Sequence, residues 1–269
     1  MSMERLWRAA NVHMQVHFGI ADFEGLRAID FSSGTGKPMM HFMGKFPKAK
    51  SGLGIEFNEV RVALAMAVLK RIFRRLGNTP GLNTVCGDVF ELNTLLDFID
   101  VLFMFDCAFE PELMDHIGKI WNASSAKMLI CFRKPEYLEK HGYLHLRLVA
   151  TVKMFLTGSM EGRTAFLFIR ATPTSKKRPP QLLAPAGNGP LYQRLVDAAA
   201  LCEDVHAPHF PDALLAYADK THEEGLRTTE AVTMANGKVQ MCHIRQRKPQ
   251  TRYEPHSSMT GSANKRTKA

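Results

Sequence analysis

Four short groups of residues in the first ninety positions have the types needed to hold an adenosine-containing molecule. They are Asp30, the pair Gly34 and Gly36 within SSGTGKP, Glu56 at the end of GLGIEF, and Asp88 in CGDV. Two closely spaced glycines let the backbone approach a ligand. Glu56 lies 20 residues beyond Gly36, where a carboxylate can accept hydrogen bonds from both hydroxyls of a ribose. Asp88 falls where an adenine amino group needs an acceptor. Each group alone has a common structural use, but four in chain order, each at the end of an apolar run, make a pattern. Two other ligands fit it less well. A nucleotide phosphate loop needs a glycine five positions before the Gly-Lys pair and a hydroxyl residue after it, and Phe31 and Pro38 stand there. A dinucleotide loop needs a third glycine, and that position is Met39. S-adenosylmethionine is therefore favoured over a nicotinamide dinucleotide.

Strands and helices must present these groups. Leu26 to Phe31, Gly52 to Phe57, Thr84 to Cys86, Ile99 to Phe105 and Lys127 to Phe132 read as strands, being short apolar runs bounded by turn residues. Pro38 suits the first turn of a helix. Asn58 to Leu76 has apolar residues at helical spacing, with Asn58 as N-cap and Gly77 as the stop. Helices are also predicted over Phe90 to about Phe98 and Glu110 to Trp121. A loop of charged and aromatic residues then precedes two strands, Leu144 to Leu156 and Thr164 to Ala171, joined by a turn around Thr157 to Gly162. Strands alternating with helices imply an α/β architecture, a mainly parallel sheet covered on both faces, with its ligand beyond the carboxyl ends of the strands.

Composition divides the chain. Residues 1–171 carry 21 basic and 17 acidic side chains and form the expected cofactor-binding domain. Residues 172–190, around SKKRPP, read as a linker, and residues 191–269 as a basic extension. Short helices are predicted in the extension at Pro190 to Cys202 and Pro211 to Glu224, with disorder from Asn236 onward. From Lys238 to Ala269, eight basic residues face one acid, Glu254, a balance that attracts polyanions such as nucleic acid by counterion release. No stretch is apolar and long enough to span a membrane, and Met1 to Ala10 has no signal-peptide core. Five scattered cysteines without a CxxC pair point to neither a disulfide framework nor zinc, and to a reducing compartment. His116, His141 and His145 lack metal-ligand spacing. Lys70, Arg71, Arg74 and Arg75 read as a solvated face, Cys107 as packing, and SKKRPP as a short basic run of nuclear-import type.

Several of these stretches, in order, resemble the non-SET histone-lysine methyltransferases named after disruption of telomeric silencing. DFSSGTGK (Asp30 to Lys37) is similar to the family's cofactor loop, Gly54 to Glu56 to its Gly-Val-Glu, and Gly87-Asp88-Val89 to its Gly-Asp-Phe. VLFMFDCAFEPE (Val101 to Glu112) parallels its apolar strand followed by Asn-Asn-Phe-Ala-Phe and Gly-Pro-Glu. Lys134-Pro135 and LTGSMEG (Leu156 to Gly162) fall where the family has Lys-Pro and Leu-x-Gly-Ser. The likeness spans about residues 26–171. Only the Ala-Phe and Pro-Glu cluster is specific to the family. Ser32 stands for the loop's first glycine, Lys37 for its glutamine, and Phe105 and Asp106 for two asparagines. With only 29 residues before Asp30, the family's front helical region is expected to be largely absent.

The resemblance implies a Rossmann-like class I methyltransferase fold with a seven-stranded sheet. S-adenosylmethionine would be held by Asp30, Ser32, Gly34, Gly36, Lys37, Glu56, Asp88 and Val89. Methyl transfer would go to a lysine on the globular core of histone three in a nucleosome. Ala108 and Phe109 would line the lysine channel, with Phe105 beside them and Asp106 orienting the amine. The implied setting is the nucleus, the basic tail would meet nucleosomal DNA, and the chain would act as a monomer without metal or membrane. Two other readings stay open: a catalytically degenerate chromatin-binding relative, and a class I methyltransferase acting on RNA or a small molecule.

Overall fold

In a computed structural model of the chain, residues 2–76, 81–93, 99–155, 162–171, 189–203, 229–233 and 239–243 are described. The elements are α1 (Ser2–Phe18), β1 (Arg27–Phe31), α2 (Lys37–Lys45), β2 (Ser51–Glu56), α3 (Glu59–Leu76), β3 (Leu82–Cys86) and β4 (Val101–Met104). They continue as α4 (Pro111–Ala123), β5 (Met128–Cys131), α5 (Pro135–Lys140), β6 (Leu146–Phe155), β7 (Gly162–Arg170), α6 (Pro190–Glu203), β8 (Thr229–Thr233) and β9 (Val239–His243). Single 3-10 turns occupy Val89–Glu91 and Asp106–Ala108.

The first seven strands form one sheet in the order β3-β2-β1-β4-β5-β7-β6. β1 to β5 are parallel, and β7 runs antiparallel between β5 and β6. Chain order reverses between β1 and β4, so a crevice opens beyond their carboxyl ends, the place where open α/β sheets bind ligands. The register sets Asp30 beside Gly54 on one side and Phe103 on the other, and Glu56 beside Cys86. β2, β4 and β5 are buried along their whole length, which is why β4 and β5 read as unbroken apolar runs rather than alternating ones. One apolar layer joins α1, α2 and α3 to the sheet, and the other joins α4 and α6 to its opposite face.

Three elements depart from the sequence reading. The first residues form α1, with Leu6, Ala10 and Met14 four apart and Trp7 beside them, all buried. Trp7 sits among rings at centroid distances of 4.9 Å (Phe42), 5.8 Å (Phe103) and 6.1 Å (Phe23). The helix predicted from Phe90 begins instead as the 3-10 turn Val89–Glu91, and residues 94–98 lie outside the described residues. Asp88 caps that turn, its Oδ1 accepting from the Phe90 N–H at 3.0 Å, and Leu92 leaves it extended. The charged and aromatic stretch after β5 holds α5, started by Pro135 and anchored by buried Leu138.

α6 falls in the stretch that composition assigns to the extension. It buries Leu191, Leu195, Ala198 and Ala199 in the layer that also holds Leu53 and Val85. The chain divides at Thr229 into two compact units, Met1–Thr229 and Glu230–Ala269. β8 and β9 pair in a two-stranded sheet, so the disorder expected from Asn236 onward does not hold at Val239–His243. Asn236-Gly237 between two strand-prone pentamers is a hairpin signal. The linker around SKKRPP, Gly77, the turn at Thr157, the helix at Pro211 to Glu224 and the rest of the basic tail lie outside the described residues. Among the described residues no helix is long and apolar enough to cross a membrane.

Candidate functional site

The turn after β1 is bent by left-handed residues, Ser32 at φ 65°, Gly34 at 57° and Gly36 at 75°. Its amides are fastened one by one. Ser33 N–H donates to the Ile55 carbonyl (2.9 Å), Gly36 N–H to the Ser33 carbonyl (2.9 Å), and Gly34 N–H to Glu56 Oε2 (2.7 Å). Glu56 Oε1 accepts from the Asn58 N–H at 2.9 Å, and Arg61 stands 4.0 Å away. A Cβ on Gly54 would lie 2.6 Å from Ser33 Oγ, so the absence of a side chain in β2 makes room for the turn. Ser32 holds a conformation that costs an L-residue about 1–2 kcal/mol. Ser32→Gly is expected to raise stability by about 0.5–1 kcal/mol, the gain being trimmed by the extra freedom of glycine in the unfolded chain. A thermal denaturation series measures it, and a drop in stability would show the serine side chain to be worth more than the strain.

Beneath the turn, Asp30 is buried, and neither carboxylate oxygen has a hydrogen-bond partner among the described residues. Burial, and then the neighbouring charge of Glu56, push its pKa well above the usual carboxylate value. Lys37 opens α2 and is exposed.

A cleft of about 220 Å³ lies between the β1 turn and the segments after β3 and β4. It brings together Ser32, Asp88, Val89, Ala108 and Phe109 from the sequence-predicted set. Gly36 instead closes a pinch of about 10 Å³ with Asn83 and Thr84. Asp30, Gly34, Lys37, Glu56, Phe105 and Asp106 do not line the cleft. Gly34 and Glu56 stand behind it as the fastening of the turn. Two aromatic residues that the sequence reading missed line it, Phe57 and Phe90, 59% and 47% exposed. Each follows a strand-end acid, one residue after Glu56 and two after Asp88, which is the signal that could have found them.

Asp106 does not face the cleft. It is fully buried at the start of a 3-10 turn; its Oδ1 accepts from the Phe132 N–H at 2.7 Å, while Oδ2 has no partner among the described residues. Burial pushes its pKa up to about 6, with the Phe132 N–H pulling the other way. Arg133 Nη2 donates to the Cys107 carbonyl at 3.2 Å, and the Phe105 and Phe132 rings meet at 4.7 Å. These contacts pin the turn that carries Ala108 and Phe109, so Asp106 and Phe105 act on the cleft through it. Burial, and then Asp106, raise the Cys107 thiol pKa, which suits packing rather than nucleophilic attack. His116 Nε2 lies 2.7 Å from the Leu92 carbonyl and His141 Nδ1 2.7 Å from Asp115. No group of three metal-ligating side chains occurs among the described residues.

No family model matches the chain, and no curated protein matches it. Solved structures do. The magnesium protoporphyrin IX methyltransferase of Synechocystis PCC 6803, with bound S-adenosylmethionine, is 14% identical over 63% of this chain and 80% of its own, with a TM-score of 0.48. A SAM-dependent methyltransferase from Aquifex aeolicus is 13% identical over 62% and 98%, at 0.40. A SAM-dependent O-methyltransferase from Thermotoga maritima is 12% identical over 64% and 67%, at 0.41. The strand order, the single antiparallel β7 between β5 and β6, and the acids at the ends of the first three strands carry the assignment: the chain has a Rossmann-like class I methyltransferase fold.

Proposed function

We propose that the cleft holds S-adenosylmethionine and that the chain is a methyltransferase. The observation that carries this reading is the cleft at the switch point, with Ser32 and Asp88 on one side and Ala108 and Phe109 on the other. The bound cofactor would supply a methyl group on a positively charged sulfur. The chain's own residues fit such a ligand. Each Glu56 oxygen accepts one backbone N–H, from Gly34 and from Asn58, and so holds the turn in place beside the ligand. Asp88 uses Oδ1 to cap its turn and can accept from an adenine amino group, while Phe57 and Phe90 offer apolar faces at the cleft. Asp30 sets a buried acid beneath the turn. Catalysis in this arrangement is alignment of an acceptor with the methyl group and exclusion of water, and the chain supplies both by position.

The acceptor in this proposal is a lysine amine on the globular core of histone three in a nucleosome, and the setting is the nucleus. What supports it is the similarity of Phe105 to Glu112 to the telomeric-silencing family, the lining of the cleft by Ala108 and Phe109, and the eight basic residues from Lys238 onward. The tail would hold nucleosomal DNA, and the chain would act as a monomer.

Titration calorimetry with S-adenosylmethionine tests the cofactor. Glu56→Ala and Asp88→Ala each remove a charged hydrogen-bond partner and are expected to weaken binding by about 10–100-fold. No binding by the unmutated protein would overturn the reading. Labelled methyl transfer offered nucleosomes, free histones and RNA side by side then tests the acceptor. Label in RNA alone would sink the histone proposal, and binding without transfer to any acceptor would favour a degenerate chromatin-binding relative.

A further inference from the structure

The connection from β3 to β4 runs from Gly87 to Asp100, and a parallel crossover ordinarily lays a helix on the sheet. Its described part holds only the 3-10 turn Val89–Glu91. α6, which follows β7 in the chain, packs on the face of β2 and β3 on that side. Leu191, in its first turn, is fully buried, and a Cβ on Gly87 would lie 2.5 Å from Leu191 Cδ1. That contact exists because residue 87 has no side chain. One turn further along α6, Arg194 Nη1 donates to the Cys86 carbonyl at 2.6 Å, the last of β3, and Nη2 lies 3.6 Å from Glu91 Oε2. One guanidinium therefore spans both ends of the segment between them, which supplies Gly87, Asp88, Val89 and Phe90 to the cleft.

We infer that Arg194 is a positioning residue for the cleft, and that α6 is the support that holds Asp88 and Phe90 in place. The inference rests on the proposed cofactor reading for its ligand. The Arg194–Glu91 pair is half exposed, and such a pair alone contributes little. The geometry assigns the weight to the Cys86 carbonyl, which Glu91 helps Arg194 to reach. An Arg can serve two acceptors in fixed directions, whereas a Lys offers one point charge. C-terminal residues thereby belong to the cofactor site even though they lie past the basic linker.

The test uses the full chain with Arg194→Ala, Arg194→Lys and Glu91→Ala. Without ligand, amide hydrogen exchange in residues 87–91 is expected to rise about tenfold or more in Arg194→Ala, with β1 and β4 unchanged. The S-adenosylmethionine Kd is expected to weaken about tenfold, with kcat at saturating cofactor within about twofold. Arg194→Lys is expected to recover part of the affinity and Glu91→Ala most of it. Unchanged exchange over 87–91 in Arg194→Ala overturns the inference, as does an unchanged Kd when the unmutated protein binds. If the unmutated protein binds no S-adenosylmethionine, the cofactor reading falls, and the exchange measurement alone decides whether Arg194 holds the segment. A loss of kcat equal to the loss of affinity, with exchange raised across the sheet, would make Arg194 a general stability residue and overturn the positioning role.

Discussion

Replacing Trp7 with alanine is expected to lower the stability of the chain by about 3–5 kcal/mol, the range for emptying a large aromatic site in a packed core. Trp7 has no exposed surface and touches rings from three parts of the chain: Phe23 before β1, Phe42 on α2 and Phe103 on β4. Those contacts tie α1 to the sheet beside the strand that leads into the cofactor turn. Its Nε1 has no hydrogen-bond partner among the described residues, so the indole contributes through packing. Trp7→Phe keeps most of that packing, removes a buried unpaired donor, and is expected to stay within about 1.5 kcal/mol of the parent. Urea denaturation followed by circular dichroism measures both variants. A loss below about 1 kcal/mol for Trp7→Ala would mean that α1 does not contribute its face to the core.

The elements that were legible in the sequence are those whose burial is complete or whose ends carry distinctive chemistry. β1, β2 and β3 could be found because each is a short apolar run with an acid in or just after it, and Asn58 marked the start of α3, where its Oδ1 accepts from the Arg61 N–H at 3.2 Å. α1 was hidden by its charge, since Glu4, Arg5 and Arg8 alternate with the buried stripe of Leu6, Trp7, Ala10 and Met14. α6 was legible as a helix from its apolar spacing, but its place after a basic linker hid that it packs on the sheet. Site geometry was the harder part. The resemblance implies that Asp106, Ala108 and Phe109 share one channel, but a 3-10 turn rotates successive residues by about 120°. Asp106 therefore enters the core while Ala108 reaches the cleft. The cleft aromatics Phe57 and Phe90 are exposed, and exposed aromatics carry no periodic signal.

Asp106→Asn is expected to gain stability on its parent as the pH rises. Folding raises the Asp106 pKa from 3.8 to about 6 because burial penalises the charged form more than the Phe132 N–H favours it. Between those two values the folded chain binds more protons than the unfolded chain, so the stability contributed by the neutral acid is present at low pH. It is lost as the pH rises from the unfolded value to the folded one and stays lost above. A shift of this size corresponds to about 2–3 kcal/mol between about pH 4 and about pH 8. Asparagine does not titrate, and its Oδ1 can still accept the Phe132 N–H, so the difference in stability between Asp106→Asn and the parent is expected to grow by that amount over the same interval. At the upper end the net advantage is smaller, about 1–2 kcal/mol, because the amide sets a donor where Oδ2 has no partner among the described residues. The substitution keeps the bond that pins the turn of Ala108 and Phe109. Urea denaturation of both proteins across this pH range measures the change. Parallel curves would show that Asp106 is ionised and solvated in the folded chain, and that the turn beside the cleft is held by Arg133 and the Phe105–Phe132 contact without it.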